Sequence, residues 1–200
     1  MRLLMLIEKL PHEFDMQAPS LSTIQASVIT CGTLVCSRNE IAFKFVSLHF
    51  ARNISMAERA GIFDEKPSLD YSMMTEDMFD WSAWVDQESR RRIASEILSQ
   101  DMAACVFHTK SPSLSPLTLK VELPCFEACW EAQTSSECFQ MLQKYPPQMQ
   151  ISSASRALRT SSLTVDNSPS FESSAFGMST LIMGKFSFQR GIQYLLSRQC

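Results

Sequence analysis

Two hundred residues, 45% of them hydrophobic and including 13 Phe and 12 Met, are enough to enclose one core of ordinary size. A formal charge of −3 and a pI near 5.6 exclude the broad basic surplus by which a dedicated nucleic-acid-binding domain attracts phosphate. The seven cysteines are odd in number and irregularly spaced, which argues against a disulfide framework and for reduced thiols in the cytosol or nucleus.

The chain opens MRLLMLIEKL, where Glu8 and Lys9 interrupt an apolar run that no small-residue cleavage site follows, so it reads as a helix or a ragged chain start rather than a signal peptide. No run approaches the roughly 20 apolar residues that cross a bilayer. Leu21 to Cys36 reads as an apolar helix, with strand as the lesser option because of its β-branched content. Ser37-Arg38-Asn39-Glu40 forms a capping box, and Ile41, Phe45 and Leu48 follow at helical spacing, so a second helix is expected from about Arg38 to Ala60, closed by Gly61. Within it, Asn53-Ile54-Ser55 is a glycosylation sequon expected to go unused in a reducing compartment.

A turn-rich connector with Pro67 then leads to Asp80, a candidate N-cap for WSAWVDQESRRRIASEILSQD. At 100° per residue Trp84, Val85, Met102, Ala103 and Val106 project within about 60° of Trp81, with Glu88 and Arg92 on the same stripe. Ile93, Ile97 and Leu98 lie elsewhere around the cylinder, so the helix is expected to pack on several sides. Glu88 and Arg92 form an i,i+4 pair in the favourable order beneath the tryptophans, and Arg90 is the outward member of the run. Three consecutive arginines splay over about 200° of helix and cannot all meet one phosphate backbone, so a solvated or ion-paired role is expected.

SPSLSPL after His108 is a loop, LKVELPC is extended, and Thr134-Ser135-Ser136-Glu137 is a second capping box, starting a helix that Pro146-Pro147 ends. Ile151 to Ser174 is Ser-rich and reads as a mobile linker suited to phosphorylation, after which helical character returns. The expected organisation is an N-terminal segment over 1–20, a helical core over 21–145, a linker over 146–175 and a C-terminal helix over 176–200. The fold class is all-α, an irregular bundle of about five helices with long loops.

Metal and catalytic chemistry find no pattern. The nearest cysteine pairs, Cys31-x4-Cys36 and Cys125-x3-Cys129, lack the close spacing of structural zinc ligands, and Cys138 and His108 stand apart. Any of His12, His49 and His108 could be nominated for any thiol, which makes a Cys/His enzyme reading empty. Phosphate loops and hydrolase or metalloprotease motifs are missing, so the chain is not expected to be an enzyme.

Trp81-x-x-Trp84-Val85-x-x-Glu88-Ser89-Arg90-Arg91-Arg92, with Asp101 beyond, resembles the signature of the fungal-specific transcription factor domain, the helical middle homology region of fungal zinc-finger regulators. Ala57 to Phe63 is similar to that family's preceding helix end. Leu123-Pro124-Cys125 followed by Trp130-Glu131-Ala132 is similar to its Leu-Pro-Cys and Leu-Trp-Glu-Ala loop. The likeness spans roughly residues 20 to 145. Cys129 stands where the family commonly has leucine and Cys138 near a frequent tryptophan, as drift within a core would give.

The resemblance implies a regulatory domain of a nuclear transcription factor, acting in transcription by RNA polymerase II. Its partners would be transcription proteins or a dimer mate and a possible small-molecule effector. Trp81, Trp84, Glu88, Arg91, Arg92, Asp101, Leu123, Pro124, Cys125, Trp130 and Glu131 would be structural motif residues. No cofactor is expected in this chain, because the family's zinc and its DNA contact belong to a separate module, read here as absent from a domain cut short at Cys200. A helical scaffold or protein-interaction module without a transcriptional role is the alternative.

Overall fold

The computed structural model describes residues 19–35, 40–108, 111–161 and 173–185. Among them are seven α-helices and no strands: α1 (Leu21–Val35), α2 (Glu40–Arg59), α3 (Trp81–His108), α4 (Glu127–Trp130), α5 (Ser135–Lys144), α6 (Ile151–Ser161) and α7 (175–185). The chain is therefore all-α as expected, with two more helices than the five anticipated. The Ser37 capping box, the N-terminal segment up to residue 18 and the end of the C-terminal helix lie outside the described residues.

Local signals place most helix ends. The Ser20 Oγ accepts from the Thr23 N–H at 3.2 Å to start α1. At the end of α2, Gly61 has φ +65°, the Gly61 N–H donates to the Glu58 carbonyl at 3.0 Å and the Ile62 N–H to the Ala57 carbonyl at 2.9 Å. These are the two bonds of a Schellman motif, and buried Ile62 and Ala57 supply its apolar contact. The Asp80 Oδ1 accepts from the Ala83 N–H at 2.9 Å, which caps α3 as expected. Thr134 caps α5 through the Glu137 N–H, and the Glu137 carboxylate reaches back to the Gln133 N–H, one residue beyond the usual reciprocal partner.

The antiparallel pair α1 and α2 packs across α3. Ile24, Val28 and Cys31 on α1 and Val46, Phe50, Met56 and Ala57 on α2 are buried, as are Ile93, Ile97, Leu98 and Met102 on α3. Close approach is built in: a Cβ at Gly32 would stand 2.8 Å from the Gln100 Nε2, which itself donates to the Val28 carbonyl at 2.8 Å. Asn53, 1% exposed, accepts from the Ser27 hydroxyl at 2.6 Å and donates to the Cys31 sulfur at 3.2 Å. Its amide is thus a core bond between helices and not a glycosylation acceptor.

Two expectations are corrected. The linker reading of 151–174 fails over Ile151–Ser161, which is helical with Ile151 and Ala154 fully buried. Serine's indifference to helix is overridden here by docking: Ile151 and Ser152 donate to the Val121 and Leu119 carbonyls at 2.8 and 2.9 Å, and Glu122 and Gln150 form an isolated antiparallel bridge. Val85, placed on the apolar stripe, is 36% exposed, because the first turns of α3 are covered on one side only. Further along, Ile93, Ala94, Ile97 and Leu98 are buried around more than one face, as the helical projection predicts.

Candidate functional site

The opening turns of α3, the Leu-Pro-Cys loop, α4 and α5 converge on a second, smaller core of Trp84, Cys125, Cys129 and Cys138. At its centre Glu88 is fully buried. The Glu88 Oε1 accepts from the Arg92 Nε at 3.0 Å and from the Cys125 backbone N–H at 3.0 Å, while Oε2 lies 3.6 Å from the Arg91 Nη1. Arg91 also donates to the Glu122 carboxylate. Burial pushes the Glu88 carboxyl above its ordinary value, against the downward pull of the two guanidiniums and the Cys125 N–H.

Arg92 carries the connection outward. Its guanidinium lies 4.6 Å from the Trp130 ring centre and 5.7 Å from that of Phe176. Trp84 and Trp130 stand 6.3 Å apart, and Phe79 bridges Trp84 at 6.4 Å to Phe139 at 5.3 Å. Trp81 is only half-buried at the rim.

Arg90, expected to point outward, does not stand alone. Its Nε bonds Asp86 Oδ2 at 2.7 Å and its Nη1 donates to the Ala60 carbonyl at 2.9 Å, one of the carbonyls left over at the end of α2. All three arginines are therefore held by the fold. The partners Glu122 and Ala60 were missed in the sequence because they lie 31 and 30 residues away, where helical periodicity carries no information.

The Leu-Pro-Cys loop is fixed on every side. Leu123 and Pro124 are buried, the Leu123 N–H donates to the Met149 carbonyl at 2.8 Å, and the Ser174 hydroxyl donates to the Pro124 carbonyl at 3.1 Å. Glu127, at the start of α4, accepts from the Ala175 and Phe176 N–H groups at 3.3 and 3.1 Å, which caps α7 with a negative charge. Glu131 is exposed and forms the C-cap of α4. Asp101 stands roughly 20 Å further along α3. There it is buried, and its Oδ2 accepts from the Ser113 and Leu114 N–H groups, both at 2.8 Å, pinning the proline-containing loop.

Thus Trp84, Glu88, Arg91, Arg92, Leu123, Pro124, Cys125 and Trp130 form one site, with Trp81 at its edge and Asp101 and Glu131 outside it. A cavity of about 480 Å³ opens beside it, bordered by Tyr71, Arg91, Cys125, Phe126, Cys129 and Tyr145 among others. Phe126 and Tyr145 stack at 4.5 Å along its wall. Burial pushes the Tyr71 hydroxyl up to about 12 and the Cys138 thiol likewise to about 12. The nearness of Cys125 and Cys129, followed by burial, pushes the Cys125 thiol up, while the same nearness holds Cys129 below its ordinary value.

Among the described residues no three His, Cys, Asp or Glu side chains stand together so as to hold a metal ion. Among them too, no helix is long and apolar enough to cross a membrane.

The model of the fungal specific transcription factor domain matches residues 1–194. Transcription factor PfmaH of Pestalotiopsis fici is 27% identical over 96 residues, which covers 46% of this chain and 10% of that protein. The chain thus aligns with a small part of this curated relative. No solved structure matches. With the signature helix, the Leu-Pro-Cys loop and the match over nearly the whole length in agreement, the chain belongs to the fungal specific transcription factor domain family.

Proposed function

We propose that this chain is the regulatory middle homology domain of a nuclear transcription factor, acting in transcription by RNA polymerase II through contacts with other proteins, a dimer mate or a small-molecule effector. Zinc-dependent DNA recognition is assigned to a module outside these residues, and the domain itself performs no catalysis. The observation that carries this reading is the engagement of the whole arginine run: Arg90 with Asp86 and Ala60, Arg91 with Glu88 and Glu122, and Arg92 with Glu88 and Trp130. Guanidiniums so committed do not release counterions from a duplex. The cavity of about 480 Å³ beside them is of the size that ligand sites occupy, which supports an effector role.

The test has two arms. Fused to an unrelated DNA-binding domain in a fungal host, the chain should change reporter output relative to that domain alone, and Glu88→Ala should abolish the change. The purified chain should give no salt-sensitive shift of duplex DNA. Tight duplex binding at physiological salt, or a reporter indifferent to the fused chain, would overturn the proposal.

A further inference from the structure

The charges that border the cavity of about 480 Å³ cancel, Arg91 and Lys144 standing against Glu122 and Asp70. Most of them are already engaged. Arg91 holds Glu122, and the Asp70 carboxylate accepts from the Ser72 N–H and hydroxyl at 3.0 and 2.6 Å. Lys144 is exposed at the rim, its Nζ 5.6 Å from the Tyr145 ring centre. An ionic solute entering here would lose its hydration and find no spare counter-charge. Much of the remaining border is flat and apolar. Phe126 and Tyr145 stack with an interplanar angle of 23°, and Pro146 and Pro147 follow Tyr145 along the same side.

One polar group of this border is unused. Tyr71 is half-buried, with its ring held edge-on to Phe79 at 5.9 Å, and its hydroxyl makes no hydrogen bond with any described residue. Nor is that hydroxyl sealed in the core, as the Trp84 Nε1 is. Burial pushes it up to about 12 against the charge of Arg91, so it stays a neutral donor. A free donor beside a flat apolar wall suits an acceptor carried on a flat apolar molecule.

We propose that the cavity binds a neutral, planar aromatic compound of roughly two fused rings that presents a carbonyl oxygen to the Tyr71 hydroxyl. The ring packs on the wall of Phe126 and Tyr145, the Tyr71 O–H donates to the carbonyl, and the ion pair of Arg91 with Glu122 stays closed. Such a molecule touches the connector at Tyr71, the signature helix at Arg91 and the segment after α5 at Tyr145 together. This ligand class rests on the regulatory reading above, in which the compound is the effector, and its arrival fastens the connector to the signature helix.

The probe is coumarin, a neutral fused ring with a lactone carbonyl, measured by equilibrium dialysis against the purified full chain. Coumarin should bind saturably. Coumarin carboxylate adds a negative charge to the same ring, and δ-valerolactone keeps the carbonyl without an aromatic ring; each should bind at least about tenfold more weakly. Tyr71→Phe removes one oxygen and keeps the ring on Phe79, so the chain should melt in urea as before and bind coumarin about tenfold more weakly. The proposal is lost if coumarin does not saturate the chain within its solubility, if a charged or non-aromatic analogue binds as tightly, or if Tyr71→Phe binds coumarin unchanged. The unmutated chain's preference among the three probes decides the class without any variant. None of these results alters the reporter output of the fused chain, so the ligand class can fail while the regulatory role stands.

Discussion

The backbone N–H of Cys125 and the carboxylate of Glu88 meet at 3.0 Å across 37 residues of chain. One fully buried side chain thereby holds the signature helix and the Leu-Pro-Cys loop together, and Arg92, its local partner, shares the same oxygen. Removing that carboxylate takes the ion-pair partner from Arg92 and the acceptor from the Cys125 N–H, and leaves Arg91 with Glu122 alone. Glu88→Ala should cost about 3–5 kcal/mol in urea melts. Arg90→Ala loses a bond to Asp86 at the surface and one to the Ala60 carbonyl, and should cost about 1 kcal/mol. Similar, small losses in the two variants would show that the carboxylate does not organise the site.

Asp101 offers a prediction with a local readout. Asp101→Ala orphans the Ser113 and Leu114 N–H groups and should destabilise by about 1–3 kcal/mol. Amide exchange of those two residues should rise more than that of the Leu-Pro-Cys loop. A uniform rise across both loops would mean that Asp101 acts on the whole core.

A pH dependence follows from Glu127. Burial alone would raise its carboxyl, but the Phe176 and Ala175 N–H groups and the Arg92 charge outweigh it and hold the carboxyl below its ordinary 4.5. A folded value below the unfolded one means that stabilisation is present above 4.5 and is lost as pH falls through the folded value. The stability difference between the unmutated chain and Glu127→Gln should be greatest near neutral pH and shrink on acidification to about pH 3. Parallel stability curves would remove Glu127 from the capping of α7.

Docking of α6 is tested at Ile151. Truncating this fully buried side chain by Ile151→Ala should cost about 2–5 kcal/mol. It should also speed proteolysis after Arg156 and Arg159. An unchanged melt would restore the linker reading for this stretch.

What the sequence discloses is what lies within a few residues. Gly61, Asp80 and Thr134 are readable because caps act over three or four positions, and Glu88 with Arg92 is readable because a helix brings i and i+4 together. The pattern Ile151, Ala154, Leu158 did carry a helical period, but the surrounding serines masked it until tertiary contact supplied the stabilisation. Glu122 beneath Arg91, Glu127 at the start of α7 and Gln100 against Val28 are set by topology, at separations of 31, 49 and 72 residues. No spacing rule reaches that far. The family likeness pointed to most members of the site without showing that Asp101 and Glu131 stand outside it.

Synthesis runs from the N-terminus, and this gives the Glu88–Cys125 bond a temporal meaning. α1 and α2 have their mutual partners within 26 residues, as Ser27 and Asn53 show, and can pair as soon as both have left the ribosome. The first turns of α3 cannot finish in the same way, since the amide that Glu88 requires is translated 37 residues later. During that interval Glu88 has its local arginines but not the amide, and burying it under Trp84 would leave a charge short of one partner. The smaller core is thus completed last, and a fragment ending ahead of residue 125 lacks both the amide on which Glu88 rests and the Cys125, Cys129 and Cys138 side chains that pack with Trp84.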